Sequence, residues 1–178
     1  KKANGYVETW ALAAEDNESG QKAAATVTLS GSTTKSGTLW LYVGGVSVSC
    51  KVVAGEELSA VATRLASAVN ADATLPVTAQ AATGTVTLAA KNKGTLGNGI
   101  VLAYSNTVPG ITPTLTAMTG GQKDPDIAEA LTAVFAADYT IYCVPWAVQA
   151  PLAALREHLD NVGGPMEQRG AIGVYAST

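Results

Sequence analysis

Two residues of this chain could make a nucleophilic pair. A cysteine hydrolase needs a thiol activated by a nearby imidazole, and the chain has Cys143 and a single histidine, His158. Cys143 lies inside the apolar run YTIYCVP, Tyr139–Pro145, and the other cysteine, Cys50, lies inside VSVSCKVV. Thiols in such runs are expected to be buried, with a raised pKa and little reactivity. The two cysteines therefore read as buried thiols rather than a disulfide framework. A lone histidine has no second imidazole for a histidine metal cluster. Beside Glu157, on a helical pattern, His158 reads as a partly exposed residue near a helix C-terminus. The pair does not predict a hydrolase.

A second candidate is KNKGTLGNGI, Lys91–Ile100. Gly94, Gly97 and Gly99 with Lys91 and Lys93 have the composition of a phosphate-cradling loop. A P-loop, however, places its Lys after the glycines and opens a helix. Here the lysines come first and a strand pattern, Ile100–Ser105, follows. A dinucleotide fingerprint also needs a following helix, so the stretch is expected to be a turn or bulge. The acidic clusters EDNES (Glu15–Ser19) and DPD (Asp124–Asp126) lack the oxygen spacing and glycine of an EF-hand loop, and read as solvated. GPMEQRG, Gly164–Gly170, carries Glu167 and Arg169 before a strand, for an inter-strand or inter-subunit ion pair or for a catalytic role. Trp40, Tyr42 and Tyr104, on Thr/Ser-rich strands, could make a sugar-stacking face. A carbohydrate-binding or adhesin module is thus the alternative to any reading below.

The elements that position these groups follow from periodicity. Tyr6–Ala13 is read as a strand and Ala14–Lys22 as a polar loop. Ala24–Ser30 alternates Val27 and Leu29 against Thr26 and Thr28. TLWLYV (Thr38–Val43) and VSVSCKVV (Val46–Val53) flank Gly44-Gly45, a hairpin signal. Leu58, Val61, Ala62, Leu65 and Val69 form one helical stripe, with Glu56 and Glu57 suited to the positive end of its dipole. VTAQAA and TVTLAAK flank Thr83-Gly84 as a second hairpin, and Ile100–Ser105 and Ile111–Met118 are further strands. After GGQKDPD, Asp124 is the expected N-cap and Pro125 the first helical residue. Ile127, Leu131, Val134 and Phe135 share that helix's stripe. Tyr139–Pro145 is expected to be a strand covered on both faces. A helix with Leu152, Leu155 and Leu159 on its stripe follows, then a strand over Gly170–Ser177, which together imply a βαβ unit. The expected fold is α+β: a mostly antiparallel β domain with one helix, inserted into a partial α/β layer. The expected divisions are 1–21, first strand and linker; 22–119, the inserted β-rich domain; and 120–178, the α/β part. The Tyr6–Ala13 strand is expected to pair in the sheet of Tyr139–Pro145 and Gly170–Ser177.

Composition narrows the classes. The chain has 178 residues, 47% hydrophobic and 14% charged, with a net charge of -3. There is no basic excess to neutralise a phosphate backbone, so nucleic acid is not an expected partner. No apolar run approaches the roughly 18 residues of a membrane-spanning helix, and no signal peptide is visible. A start at KKANGYVETW and a stop at GVYAST, directly after a strand pattern, read as a piece of a longer protein.

Several runs, in order, resemble the contractile-tail sheath proteins of Mu-like bacteriophages and prophages. KANGYVETWAL is similar to that family's entry into a strand around a Glu-x-Trp-Ala core. SGTLWLYVGGVSVSCKVVAGEELSAVATRLASAVNADATLPVTA resembles its inserted β domain, and KNKGTLGNGI its Lys-Gly-x-Leu-Gly-Asn bend. MTGGQKDPDIAEAL and LDNVGGPMEQRGAIGVYA resemble the return into the core. The resemblance implies a structural virion protein and a central fragment lacking both chain ends. Its subunits would form helical rings around the tail tube, meet baseplate and tail terminator, and contract to drive the tube through the host envelope. It implies assembly in the host cytoplasm, residence in the virion tail, no catalytic residues, no cofactor and no metal. Family members are linked by extended chain ends that add strands to neighbours' sheets, so the fragment alone is expected to be monomeric or weakly associated.

Overall fold

The structure is a computed structural model, in which residues 2–4 and 7–176 are described. The chain forms two compact units. One is Ser19–Lys123. The other combines residues up to Glu18 with those from Asp124 onward, so the first is inserted in the second.

The chain opens with a short hairpin of β1 (Lys2–Asn4) and β2 (Val7–Thr9), antiparallel, with Asn4 opposite Val7. This corrects the expected strand over Tyr6–Ala13. Tyr6 lies outside the described residues, residues 10–13 have no strand conformation, and β2 pairs with the chain just before it rather than with the later parallel strands. Trp10 and Leu12 are exposed.

The inserted unit is two antiparallel sheets and one helix. β3 (Lys22–Gly31) buries Ala23, Ala25, Val27 and Leu29 at alternate positions, as a strand with one face on the core must. β4 (Gly37–Val43) and β5 (Val46–Val52) form the expected hairpin, closed by Gly44 and Gly45, both at positive φ, the backbone of a type I′ turn. Leu39, Leu41, Val43, Val48, Cys50 and Val52 point inward. Val46, on the same face by alternation, is exposed at the turn end. α1 (Leu58–Ala71) buries Val61, Ala62, Leu65 and Val69 of the expected stripe and also Ala66, while Leu58 is partly buried. β6 (Val77–Ala82) and β7 (Thr85–Lys93) turn at Thr83-Gly84, and a 3-10 turn over Thr95–Gly99 follows. β8 (Leu102–Asn106) and β9 (Ile111–Leu115) complete the unit. Strand orders are β6-β7-β3-β9 and β5-β4-β8. β9 carries Pro113, which only an edge strand tolerates. The core between sheets and helix is aliphatic, centred on Leu39, Leu41, Leu65, Leu75 and Leu88. Each such side chain contributes about 1.5–3 kcal/mol by leaving water.

The flanking unit holds α2 (Ala128–Ala133), β10 (Ile141–Val144), α3 (Gln149–Val162) and β11 (Ile172–Tyr175). β10 and β11 pair in parallel, Tyr142 opposite Gly173, with α3 as their crossover. α2 starts later than expected. Ile127 is its N-cap, where Asp124 is expected, and Asp126 Oδ1 accepts the Ala128 N–H at 2.9 Å. The β10–β11 pair also departs from expectation. Tyr142 is buried, but Ile141 and Ile172 are 64% and 65% exposed, and Cys143 and Val174 are exposed beside them. α3 covers one face of the pair, and the apolar run extends onto a face that no described element of this unit covers. The chain is thus a mixed α+β protein, mostly antiparallel, with an inserted β-rich unit in a partial α/β layer.

Candidate functional site

The structure separates the thiol–imidazole pair. His158 sits on α3 in the stripe Pro151, Leu155, His158, Val162. It is 7% exposed, which corrects the expectation of a partly exposed histidine. Its ring stands edge-on to Tyr142, 4.8 Å between centroids, and to Phe135 at 5.9 Å. Nε2 has no hydrogen-bond partner. Burial, and secondarily the Arg169 charge, hold its pKa below the usual histidine range. Because Tyr142 points at His158, its strand neighbour Cys143 points to the opposite face. Cys143 is exposed rather than buried, and no dyad forms. Cys50 is buried as expected, its pKa raised by burial.

Arg169 is spent on structure. Its Nη1 donates to the Ala137 carbonyl at 2.7 Å, and its Nη2 to the Phe135 carbonyl at 2.6 Å and to Glu167 Oε2 at 2.9 Å. Its guanidinium lies 5.4 Å from the Phe135 ring centroid. Carbonyls after α2 thereby gain a cationic cap, favourable at a helix C-terminus. Arg169 and Glu167 do pair, but two residues apart in one loop rather than between strands or subunits.

The Gly-rich stretch is a bend. Gly97 is buried, and a Cβ there would stand 2.8 Å from the Ala23 Cβ and 3.0 Å from the Ala90 Cβ, so the turn lies directly on β3 and β7. Asn98 ties it down: Nδ2 donates to the Gly121 carbonyl at 3.0 Å and Oδ1 accepts the Gly121 N–H at 2.8 Å. These donors and acceptors face the protein's own backbone. Asn70 makes the same two-way clamp on Ala79, at 2.8 Å for each bond. Glu56 does not act as a helix cap. It pairs with Arg64, which also donates to the Lys51 carbonyl, and it accepts the Val53 N–H at 3.1 Å. These bonds, that to Arg64 first, hold its carboxyl below the usual range.

An open groove of about 460 Å³ runs beside the start of α1, lined by Thr33, Thr34, Glu57, Ser59 and Thr83 among others. Thr33, its buried hydroxyl, is already engaged with the Glu56 carbonyl at 2.6 Å. Among the described residues, no three His, Cys, Asp or Glu side chains gather as a metal site, and no helix is long and apolar enough to cross a membrane. In the acidic loop, the Asn17 side chain reaches the Asp124 carbonyl and Ser19 receives Lys123. Of the three aromatic candidates, Trp40 and Tyr42 share the outer face of the β5-β4-β8 sheet. Tyr104 is in register with Leu41 and so lies on the other face.

The class defined by this arrangement is a β-rich module carried as an insertion in an α/β unit, in which Arg169, Asn98, Asn70 and Glu56 are committed to caps, turns and ion pairs. No protein-family model matches the chain. Among curated proteins, it is similar to the Mu-like prophage FluMu tail sheath protein of Haemophilus influenzae, with 32% identity over 173 residues. The match covers 94% of this chain and 36% of that protein, so the chain spans about a third of its relative's length. The relative is a tail sheath protein of the group that the sequence motifs resemble.

Proposed function

We propose that this chain is the central part of a tail sheath subunit of a Mu-like phage or prophage, a non-enzymatic structural protein of the virion tail. The observation that carries the reading is the similarity to a tail sheath protein over 94% of the chain. The fate of the candidate groups supports it: Cys143 and His158 face apart, and Arg169 and Asn98 are spent on backbone. In this reading the subunit packs with neighbouring sheath subunits in helical rings around the tail tube, between baseplate and terminator. Contraction drives the tube through the host envelope. Such work must be stored in interfaces with two discrete packings. The bare aliphatic face of β10 and β11 is a surface of the kind such packing uses, since parallel strands are normally covered on both sides.

Assembly takes place in the host cytoplasm, and the chain by itself is monomeric or weakly associated. A gold-labelled antibody raised against the inserted unit should decorate tails of induced particles along their whole length. Label confined to the tail tip, or absent from particles altogether, would overturn the proposal.

A further inference from the structure

We propose that Trp40 and Tyr42 form a stacking platform for a neutral oligosaccharide on the outer face of the β5-β4-β8 sheet. β4 is the central strand, so the two rings lie mid-face. Alternation puts them opposite the buried Leu39, Leu41 and Val43, two residues and about 6.8 Å apart along the strand. Their cross-strand neighbours are small. Ser49 and Ser105 flank Trp40, and Ser47 and Ala103 flank Tyr42. Both rings remain partly exposed, with no bulky side chain in register to wall them in.

The surrounding chemistry selects the ligand class. The Ser47, Ser49 and Ser105 residues are exposed, each hydroxyl offering one donor and two acceptor positions. Lys51, opposite Thr38, is the charged residue in register on this face, which leaves little to attract an anionic polymer. A pyranose presents an apolar C–H face to an aromatic ring and hydroxyls to the groups around it. Two rings in line, bordered by serines, match successive sugars of a neutral chain. A protein partner would need a broader apolar area, of the aliphatic kind found on β10 and β11.

The test titrates the 178-residue chain with cellohexaose, maltohexaose and chitohexaose, with polygalacturonate as the charged control. Binding is followed by tryptophan fluorescence and amide chemical shifts. The expected result is saturable binding of at least one neutral hexaose, with shifts centred on Trp40, Tyr42, Ser47 and Ser49. Trp40→Ala should weaken it about tenfold or more, while Trp10→Phe and Trp146→Phe leave it unchanged. Ser49→Glu, which leaves both rings in place, should also block it. No shift with any neutral hexaose at millimolar concentration, or binding of polygalacturonate alone, would overturn the proposal. So would dimerisation through this face in sedimentation, with Trp40 protected.

Discussion

The His158 imidazole meets the Tyr142 ring at 69° between planes, 4.8 Å from centroid to centroid. One contact thus buries the chain's only histidine and turns Cys143 outward. It places a titratable group with an unpartnered Nε2 among Tyr142, Phe135 and the Arg169 guanidinium.

The pH dependence follows from that placement. Folding lowers the pKa of His158, so the folded unit favours the neutral ring. Above about pH 6.5, the unfolded value, both states are neutral and the contribution to stability is full. As pH falls through that value the unfolded chain takes up the proton more readily, and stability is lost. The flanking unit should therefore unfold at lower urea concentration at about pH 5.5 than at about pH 7.5, read by near-UV circular dichroism. His158→Phe should flatten the difference. Parallel curves for the two proteins would refute the assignment.

Arg169 should be intolerant of lysine. Lysine keeps the charge but not the planar fork that reaches the Ala137 and Phe135 carbonyls together. Arg169→Lys is expected to cost about 1–3 kcal/mol, with faster amide exchange confined to residues after α2. Wild-type exchange there would show that the two bonds contribute nothing measurable.

Asn98→Ala leaves the Gly121 N–H and carbonyl without their side-chain partners. Thermal melts should show a loss of about 1–3 kcal/mol in the inserted unit. Inorganic phosphate should leave the wild-type melting temperature unchanged, because the turn bonds its own backbone. A phosphate-dependent rise would restore the anion-site reading of this stretch.

The cysteines should differ in reactivity. Cys143 is exposed and Cys50 buried with a raised pKa, and alkylation follows thiolate access. Iodoacetamide followed by peptide mass mapping should show Cys143 modified in the folded chain and Cys50 modified only in denaturant. Equal labelling of the two would contradict the orientation of β10.

The hairpin at Gly44-Gly45 and the stripe of α1 were legible in the sequence because each signal is local: two glycines at a turn, and five apolar residues at helical spacing. The 3-10 bend was legible as a bend for the same reason, since a strand rather than a helix follows it. His158 was harder to place. Its position, three residues after Leu155 and four before Val162, lies on a buried stripe, but the polar ring argued for solvent and Leu152 and Leu159 drew the stripe one position aside. Cys143 failed in the opposite sense. An apolar run signals that a strand could be covered on both faces, but not whether a second layer is present to cover it. Tyr6–Ala13 was misread because alternation signals that residues can form a strand, but not which neighbour that strand will pair with.

A sheath role is tested by negative-stain electron microscopy of the full-length protein containing this chain, expressed alone. Long striated tubes of stacked rings are expected. Only dispersed particles, across a range of salt concentrations, would contradict a sheath role and leave the sugar platform as the feature to pursue.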